Sequence, residues 1–147
     1  NIVGLANSKQ FLIQEEGIDL SDWKDSLSKA PLHGLDAYVQ AIREKNLRNS
    51  VFVDVTANKD VAMVYASLLE KSIAVVACNK IACSSDYASY VHLKNLARLY
   101  NTSFLFETNV GAGLPVIGTL NDLLRSGDQI TKIEAVLSGT LKDSLCI

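Results

Sequence analysis

Val51-Phe52-Val53 and Ile73-Ala74-Val75-Val76-Ala77 are uninterrupted apolar runs, and between them Asp60–Lys71 sets Val61, Val64, Tyr65, Leu68 and Leu69 at helical spacing. Alternation would mark a strand with one wet face. Its absence predicts strands covered by helices on both faces, the central strands of a parallel sheet. Strand, helix and strand make one crossover unit, with Asn58 or Asp60 able to cap the helix. Outward from this unit the pattern repeats. Further strands are predicted at Ile2–Ala6, Ser103–Phe106 and Ile130–Leu137. Leu35–Lys45 places Leu35, Tyr38, Val39 and Ile42 on one helical face; Tyr87–Tyr100 does the same with Val91, Leu93, Leu96 and Leu99 after the capping serines Ser84 and Ser85. Leu114–Arg125 is the next predicted helix, closed by Ser126-Gly127-Asp128. The region Gly17–Pro31 around Trp23 is a long polar insertion, and no internal domain boundary is visible. The predicted class is α/β, a mostly parallel sheet with helices on both faces.

The 147 residues are 48% hydrophobic and 20% charged, which suits one packed domain with a sizeable core. A net charge of -2 with no basic cluster leaves no footprint for nucleic acid or an anionic membrane. No apolar run reaches the roughly 20 residues of a spanning helix, and the amino end lacks a signal pattern. A cytoplasmic protein with small-molecule or protein partners is expected. Cys78, Cys83 and Cys146 are odd in number and form no C-x-x-C pair, so reduced thiols are expected rather than a disulfide or zinc site. His33 and His92 have no acid or cysteine at ligand spacing and read as structural or solvated; Tyr65, Tyr87, Tyr90 and Tyr100 read as packing residues.

Ligands of an open parallel sheet gather at the carboxyl ends of its strands. The residues there are Ala6-Asn7-Ser8-Lys9, Asp54-Val55-Thr56-Ala57-Asn58, Cys78-Asn79-Lys80, Glu107 through Gly113, and Ser138-Gly139-Thr140. They offer hydroxyls, amides and backbone N–H groups to a phosphate or ribose, with Lys80 as cation and Glu107 as anion. Any one of these segments alone reads sooner as an ordinary solvated loop; the five together favour a ligand rim. The junction Glu107-Thr108-Asn109-Val110-Gly111-Ala112-Gly113-Leu114-Pro115-Val116-Ile117 follows the apolar Phe104-Leu105-Phe106. Its glycines permit close approach of a ligand, and permit equally a tight strand-to-helix turn with none. The pyrophosphate turn G-x-G-x-x-G occurs nowhere in the chain.

Taken in order, Ala6-Asn7-Ser8-Lys9, Asp54-x-Thr56, Asn79-Lys80, the junction Glu107–Ile117, Gly127-Asp128 and Leu137-Ser138-Gly139-Thr140-Leu141 resemble homoserine dehydrogenase over nearly the whole chain. Gly17-Ile18-Asp19-Leu20-Ser21-Asp22-Trp23 is most similar to the dehydrogenase part of the bifunctional aspartokinase–homoserine dehydrogenases. The resemblance implies a Rossmann-like domain and an oxidoreductase that interconverts aspartate semialdehyde and homoserine with NADP or NAD, in threonine and methionine biosynthesis. It implies that Thr56 and Ala57 lie along the nicotinamide cofactor, that Ala6, Asn7 and Ser8 lie near its adenosine ribose, and that Ser138 and Gly139 also contact it. Lys80 would stand beside nicotinamide and substrate, where a cation orients the aldehyde or binds its carboxylate. Glu107, Val110, Ala112 and Leu114 match the family's sodium-like monovalent cation site. In an extended segment the carbonyls of 110, 112 and 114 would converge, and hard cations take such oxygens. Glu107 as a cap for the following helix is the other reading.

The family's substrate-binding acids and proton-donating lysine lie beyond the Ser138–Leu141 turn. The expectation is therefore residues 1–141 as a partial NAD(P)-binding domain without its first β-α unit, residues 142–147 as a divergent tail, no catalytic domain, and an isolated chain without activity. The parent is expected to be a homo-oligomer. The rivals are another semialdehyde or amino-acid dehydrogenase, and a non-enzymatic α/β module that self-associates.

Overall fold

The structure, a computed structural model, describes residues 1–135 and the backbone of Leu145–Cys146. The chain divides into two compact units, Asn1–Arg48 and Asn49–Ile147. The sequence shows no such boundary because no composition shift marks it; left-handed Asn46 and Asn49, at φ 44° and 56°, flank it instead.

In the first unit, β1 (Gly4–Ala6) pairs antiparallel with β2 (Phe11–Ile13), Leu5 opposite Leu12. The expected strand at Ile2–Ala6 is thus half of a hairpin and not a member of the parallel sheet. Helices α1 (Trp23–Lys29) and α2 (Leu35–Lys45) complete the unit. The second has the predicted bounds; the first occupies what reads as a polar insertion. Ile18, Leu27, Tyr38 and Val39 are buried, with Phe11 packed 5.2 Å from the Tyr38 ring.

In the second unit, β3 (Val51–Asp54), β4 (Ala74–Ala77) and β5 (Phe104–Leu105) form a parallel sheet in that order, so β4 is the central strand. Register sets Phe52 beside Val75 and Asp54 beside Ala77, with Val75 also beside Phe104. Those residues share one face, and α4 and α6 pack against it. The other face is different. Val51, Val53 and Leu105 are 56%, 58% and 54% exposed, so the unbroken apolarity of β3 does not reflect helices on both of its faces among the described residues.

The single predicted helix over Asp60–Lys71 is two, α3 (Lys59–Met63) and α4 (Tyr65–Leu69). At Val64, ψ flattens to -9° and the N–H reaches only back to the Val61 carbonyl, one residue short of the α-helical partner. Asn58 caps α3 as expected, its Oδ1 accepting the Asp60 N–H at 2.7 Å. After α5 (Ile81–Ser84), α6 (Tyr87–Leu99) is capped by Asp86 rather than by Ser84 or Ser85; its carboxylate accepts the Ser89 N–H at 2.8 Å. Helix α7 (Val116–Arg125) follows the 3-10 turn Glu107–Asn109. Of the expected strand at Ile130–Leu137, only Glu134–Ala135 (β6) is a described strand, and it pairs antiparallel with Leu145–Cys146 (β7) instead of extending the parallel sheet. Thr131, Lys132 and Glu134 interrupt its apolar run, and the last two form an ion pair at 2.6 Å. No helix among the described residues is long and apolar enough to cross a membrane.

Candidate functional site

Asp54 ends β3 on the buried face and is 1% exposed. Its position two residues from Phe52 forces it inward, because a strand alternates faces. A carboxylate there must collect donors. It has three: the Thr56 backbone N–H on Oδ1 at 2.7 Å, and on Oδ2 the Tyr65 hydroxyl at 2.5 Å and Asn79 Nδ2 at 3.0 Å. Asn79, also 1% exposed, donates again from Nδ2 to the Asn58 carbonyl at 2.9 Å and accepts the Ile81 N–H on Oδ1 at 3.1 Å. The Cys78 N–H reaches the Asp54 carbonyl at 2.8 Å. Turned so that its amide nitrogen meets acceptors, Asn109 donates to the carbonyls of Ala77 and Cys78 at 3.1 and 3.2 Å.

Three of the expected loops, those after β3, β4 and β5, are therefore bonded to one another at the carboxyl end of the parallel sheet. Thr56, Ala57 and Lys80 are exposed on this rim, as a ligand site requires. Thr56 Oγ1 accepts the Asn58 N–H at 3.2 Å, which leaves the hydroxyl proton to donate outward. Asp54 and Asn79 were expected only as members of the strand-end loops, with no role of their own, and Tyr65 only as a packing residue, although the shared parity of Phe52 and Asp54 signals an inward carboxylate.

Ala6, Asn7 and Ser8 lie in the first unit, exposed; Ala6 ends β1 opposite Phe11, and Asn7 and Ser8 are in the turn of the β1–β2 hairpin. Asn7 Oδ1 accepts the N–H groups of Lys9 and Gln10 at 2.8 and 2.9 Å, which shapes that turn. Ser138 and Gly139 lie outside the described residues.

Glu107 opens a single 3-10 turn (Glu107–Asn109), and its carboxylate does cap a helix. Oε1 accepts the Ile117 N–H at 2.8 Å and Oε2 the Gly118 N–H at 2.6 Å, both in the first turn of α7. Gly118 allows this approach, since a Cβ there would sit 3.1 Å from Oε2. The segment 110–114 is turned rather than extended: Gly111 and Ala112 have φ of 72° and 52°. Ala112, not Gly113, takes the second left-handed position. The Leu114 carbonyl already accepts the Val116 N–H at 2.9 Å. Alternation along an extended strand therefore does not bring the carbonyls of 110, 112 and 114 together. No cluster of three or more histidine, cysteine, aspartate or glutamate side chains able to hold a metal occurs among the described residues.

Cys78 and Cys83 are free thiols, and the side chain of Cys146 lies outside the described residues. Burial pushes the Cys83 thiol up from an ordinary 9.0 to about 11. At neutral pH its reactive thiolate is about a hundredfold scarcer than in an unperturbed thiol. Alkylation of Cys83 by iodoacetamide, followed by peptide mass spectrometry, is expected to lag behind free cysteine until the pH approaches 11; equal rates at pH 8 would contradict the burial.

A family model described as "Homoserine dehydrogenase, NAD binding domain" matches residues 1–107. Bifunctional aspartokinase/homoserine dehydrogenase 1, chloroplastic, of Zea mays is 41% identical over 142 residues, which are 95% of this chain and 15% of the maize protein. The bifunctional aspartokinase/homoserine dehydrogenase of Haemophilus influenzae is 40% identical over 141 residues, 95% of this chain and 17% of that protein. Among solved structures, a hyperthermophilic archaeal homoserine dehydrogenase mutant in complex with NADPH superposes with a TM-score of 0.71 at 28% identity, covering 92% of this chain and 43% of that one. The chain thus spans less than a fifth of the bifunctional relatives it matches, and the match to the family model runs from the β1–β2 hairpin through the rim that carries Thr56, Ala57 and Lys80 to Glu107. The chain belongs to the homoserine dehydrogenase family, through its NAD-binding domain.

Proposed function

We propose that this chain holds the nicotinamide cofactor of an oxidoreductase that interconverts aspartate semialdehyde and homoserine, on the route to threonine and methionine. The observation that carries the reading is the bonded rim of the second unit, where Thr56, Ala57 and Lys80 stand exposed at the carboxyl end of a parallel sheet. The cofactor, NADPH or NADH, supplies the hydride when bound. The Thr56 hydroxyl and the Ala57 backbone face it; Ala6, Asn7 and Ser8 of the first unit, and Ser138 and Gly139, keep only the cofactor roles that the family resemblance implies. The exposed rim of the second unit suits the nicotinamide part; without a G-x-G-x-x-G turn, no residue of this chain is assigned to the pyrophosphate. Lys80 places a positive charge where the aldehyde oxygen gains electrons, or where the substrate carboxylate binds.

A sodium-like cation at Glu107, Val110, Ala112 and Leu114 belongs to the same reading. A carboxylate has about four lone-pair positions, and the α7 cap uses two of those on Glu107. A cation there would fix the loop and take no part in hydride transfer. Residues 1–141 act as the cofactor domain, and residues outside this chain supply the substrate acids and the proton-donating lysine. A homo-oligomer in the cytoplasm completes the proposal, supported by the exposed Val51, Val53 and Leu105 face and the free thiols; the maize relative carries the description chloroplastic.

The test is turnover by the full-length protein, read as oxidation of NADPH by aspartate semialdehyde. NADPH titrated against the chain itself by calorimetry locates the binding. Consumption of NADPH is the expected result, and turnover of other semialdehydes but not this one would reject the substrate.

A further inference from the structure

Asp54 is a buried carboxylate with no ion pair among the described residues, held by three neutral donors from three places in the fold. Taking a carboxylate out of water is costly, and an apolar residue at the end of β3 would serve the core without that cost. The expense has a geometric return. Thr56 is reached through its own backbone N–H, α4 through the Tyr65 hydroxyl, and the loop after β4 through Asn79. Asn79 then crosses to the Asn58 carbonyl and to the Ile81 N–H, so its three side-chain bonds bracket both segments that carry exposed site residues: Thr56–Ala57 on one side, Lys80 on the other. Both groups are exposed, so little side-chain packing holds them. Their separation is set beneath the surface.

We propose that Asp54 and Asn79, locked by Tyr65, are positioning residues: a buried polar brace that fixes the spacing between the Thr56–Ala57 turn and Lys80, and with it the seat of the nicotinamide against the substrate. The proposal rests on the assignment of Thr56, Ala57 and Lys80 made above. Burial, and then the hydrogen bond to Asp54, push the Tyr65 hydroxyl far above the usual phenol range, so it remains a donor at every working pH. Tyr65 is fully buried with its ring 5.9 Å from that of Phe104, so a phenylalanine keeps the packing and removes one bond.

The experiment compares wild type, Y65F, N79A and the control S67A in the full-length protein. The Ser67 hydroxyl donates to the Val64 carbonyl of its own helical segment at 2.9 Å, and no other side-chain hydrogen bond of Ser67 occurs among the described residues. NADPH dissociation constants, kcat and KM are measured at a temperature where circular dichroism shows each variant folded. Y65F and N79A are expected to lose about ten- to a hundredfold in kcat/KM, with weaker NADPH binding, because a displacement of about 1 Å at a reacting centre costs that much. S67A keeps wild-type kinetics. Folded Y65F and N79A with unchanged kcat and NADPH affinity would overturn the brace while leaving the function standing. Unfolding of both would overturn it too, since the network would then hold the fold rather than the site. A wild type that neither binds NADPH nor consumes aspartate semialdehyde would remove the function and the brace together.

Discussion

An E107A variant is expected to lose the order of α7 before the rest of the molecule melts. Both carboxylate oxygens of Glu107 sit on N–H groups in the first turn of that helix, at 2.8 and 2.6 Å, and these donors have no partners further back in the helix. A hydrogen bond to a charged acceptor is worth about 1.5–3 kcal/mol, so removing the pair costs on the order of 3 kcal/mol for this half-buried group. Little else resists. No residue of α7 is buried, and ten residues are too few for a helix to persist unaided in water. Hydrogen exchange at the amides of Ile117 and Gly118 checks it, with protection expected to collapse in E107A and to survive in part in E107Q, which keeps one acceptor. Unchanged exchange would mean that Pro115 and the following apolar residues hold the turn alone. The same variants address the cation. If an ion shares the carboxylate, replacing sodium chloride with choline chloride lowers the melting temperature of wild type and leaves E107A indifferent. If Glu107 is a cap only, neither protein responds to the exchange.

That choice shows where the sequence stops informing. Glu107, nine residues ahead of α7, reads as a ligand with a cap as the other reading, because only the chain's path brings Gly118 within reach of Oε2. By contrast, the strand–helix–strand core was legible: Ile73–Ala77 is a run too apolar for a surface strand, and it does become the central β4. The loops after β3, β4 and β5 were legible as a group for the same reason, since a parallel sheet delivers its strand ends to one side. Asn58 capped where its side chain predicted. The β1–β2 hairpin was not visible because Phe11-Leu12-Ile13 is three residues long and does not alternate; the Asx turn at Asn7 was its local sign. Helix α1 hid behind Lys24, Asp25, Ser26 and Ser28, with Leu27 its one buried side chain. The break at Val64 leaves no trace in the apolar spacing, which runs through it in phase.

K80M is expected to separate activity from stability more cleanly than any other substitution in the chain. Lys80 is exposed, and no ion pair to it exists among the described residues. Its backbone is fixed by neighbours instead: Asn79 is locked on one side, and the Lys80 carbonyl accepts the N–H groups of Cys83 and Ser84 at 3.0 and 2.9 Å on the other. Methionine keeps most of the stem, so the folding cost is within about 0.5 kcal/mol. If the ammonium meets the aldehyde oxygen as hydride arrives, kcat falls by about 10²–10³ with KM little changed, the usual loss when one preorganised donor to a developing oxyanion is removed. If it binds the substrate carboxylate instead, KM rises and kcat holds. K80R restores the charge with a planar, wider group and is expected to recover only part of either loss. Steady-state kinetics of the full-length protein beside thermal melts decide the matter: a folded K80M that turns over at the wild-type rate and KM would remove Lys80 from the site.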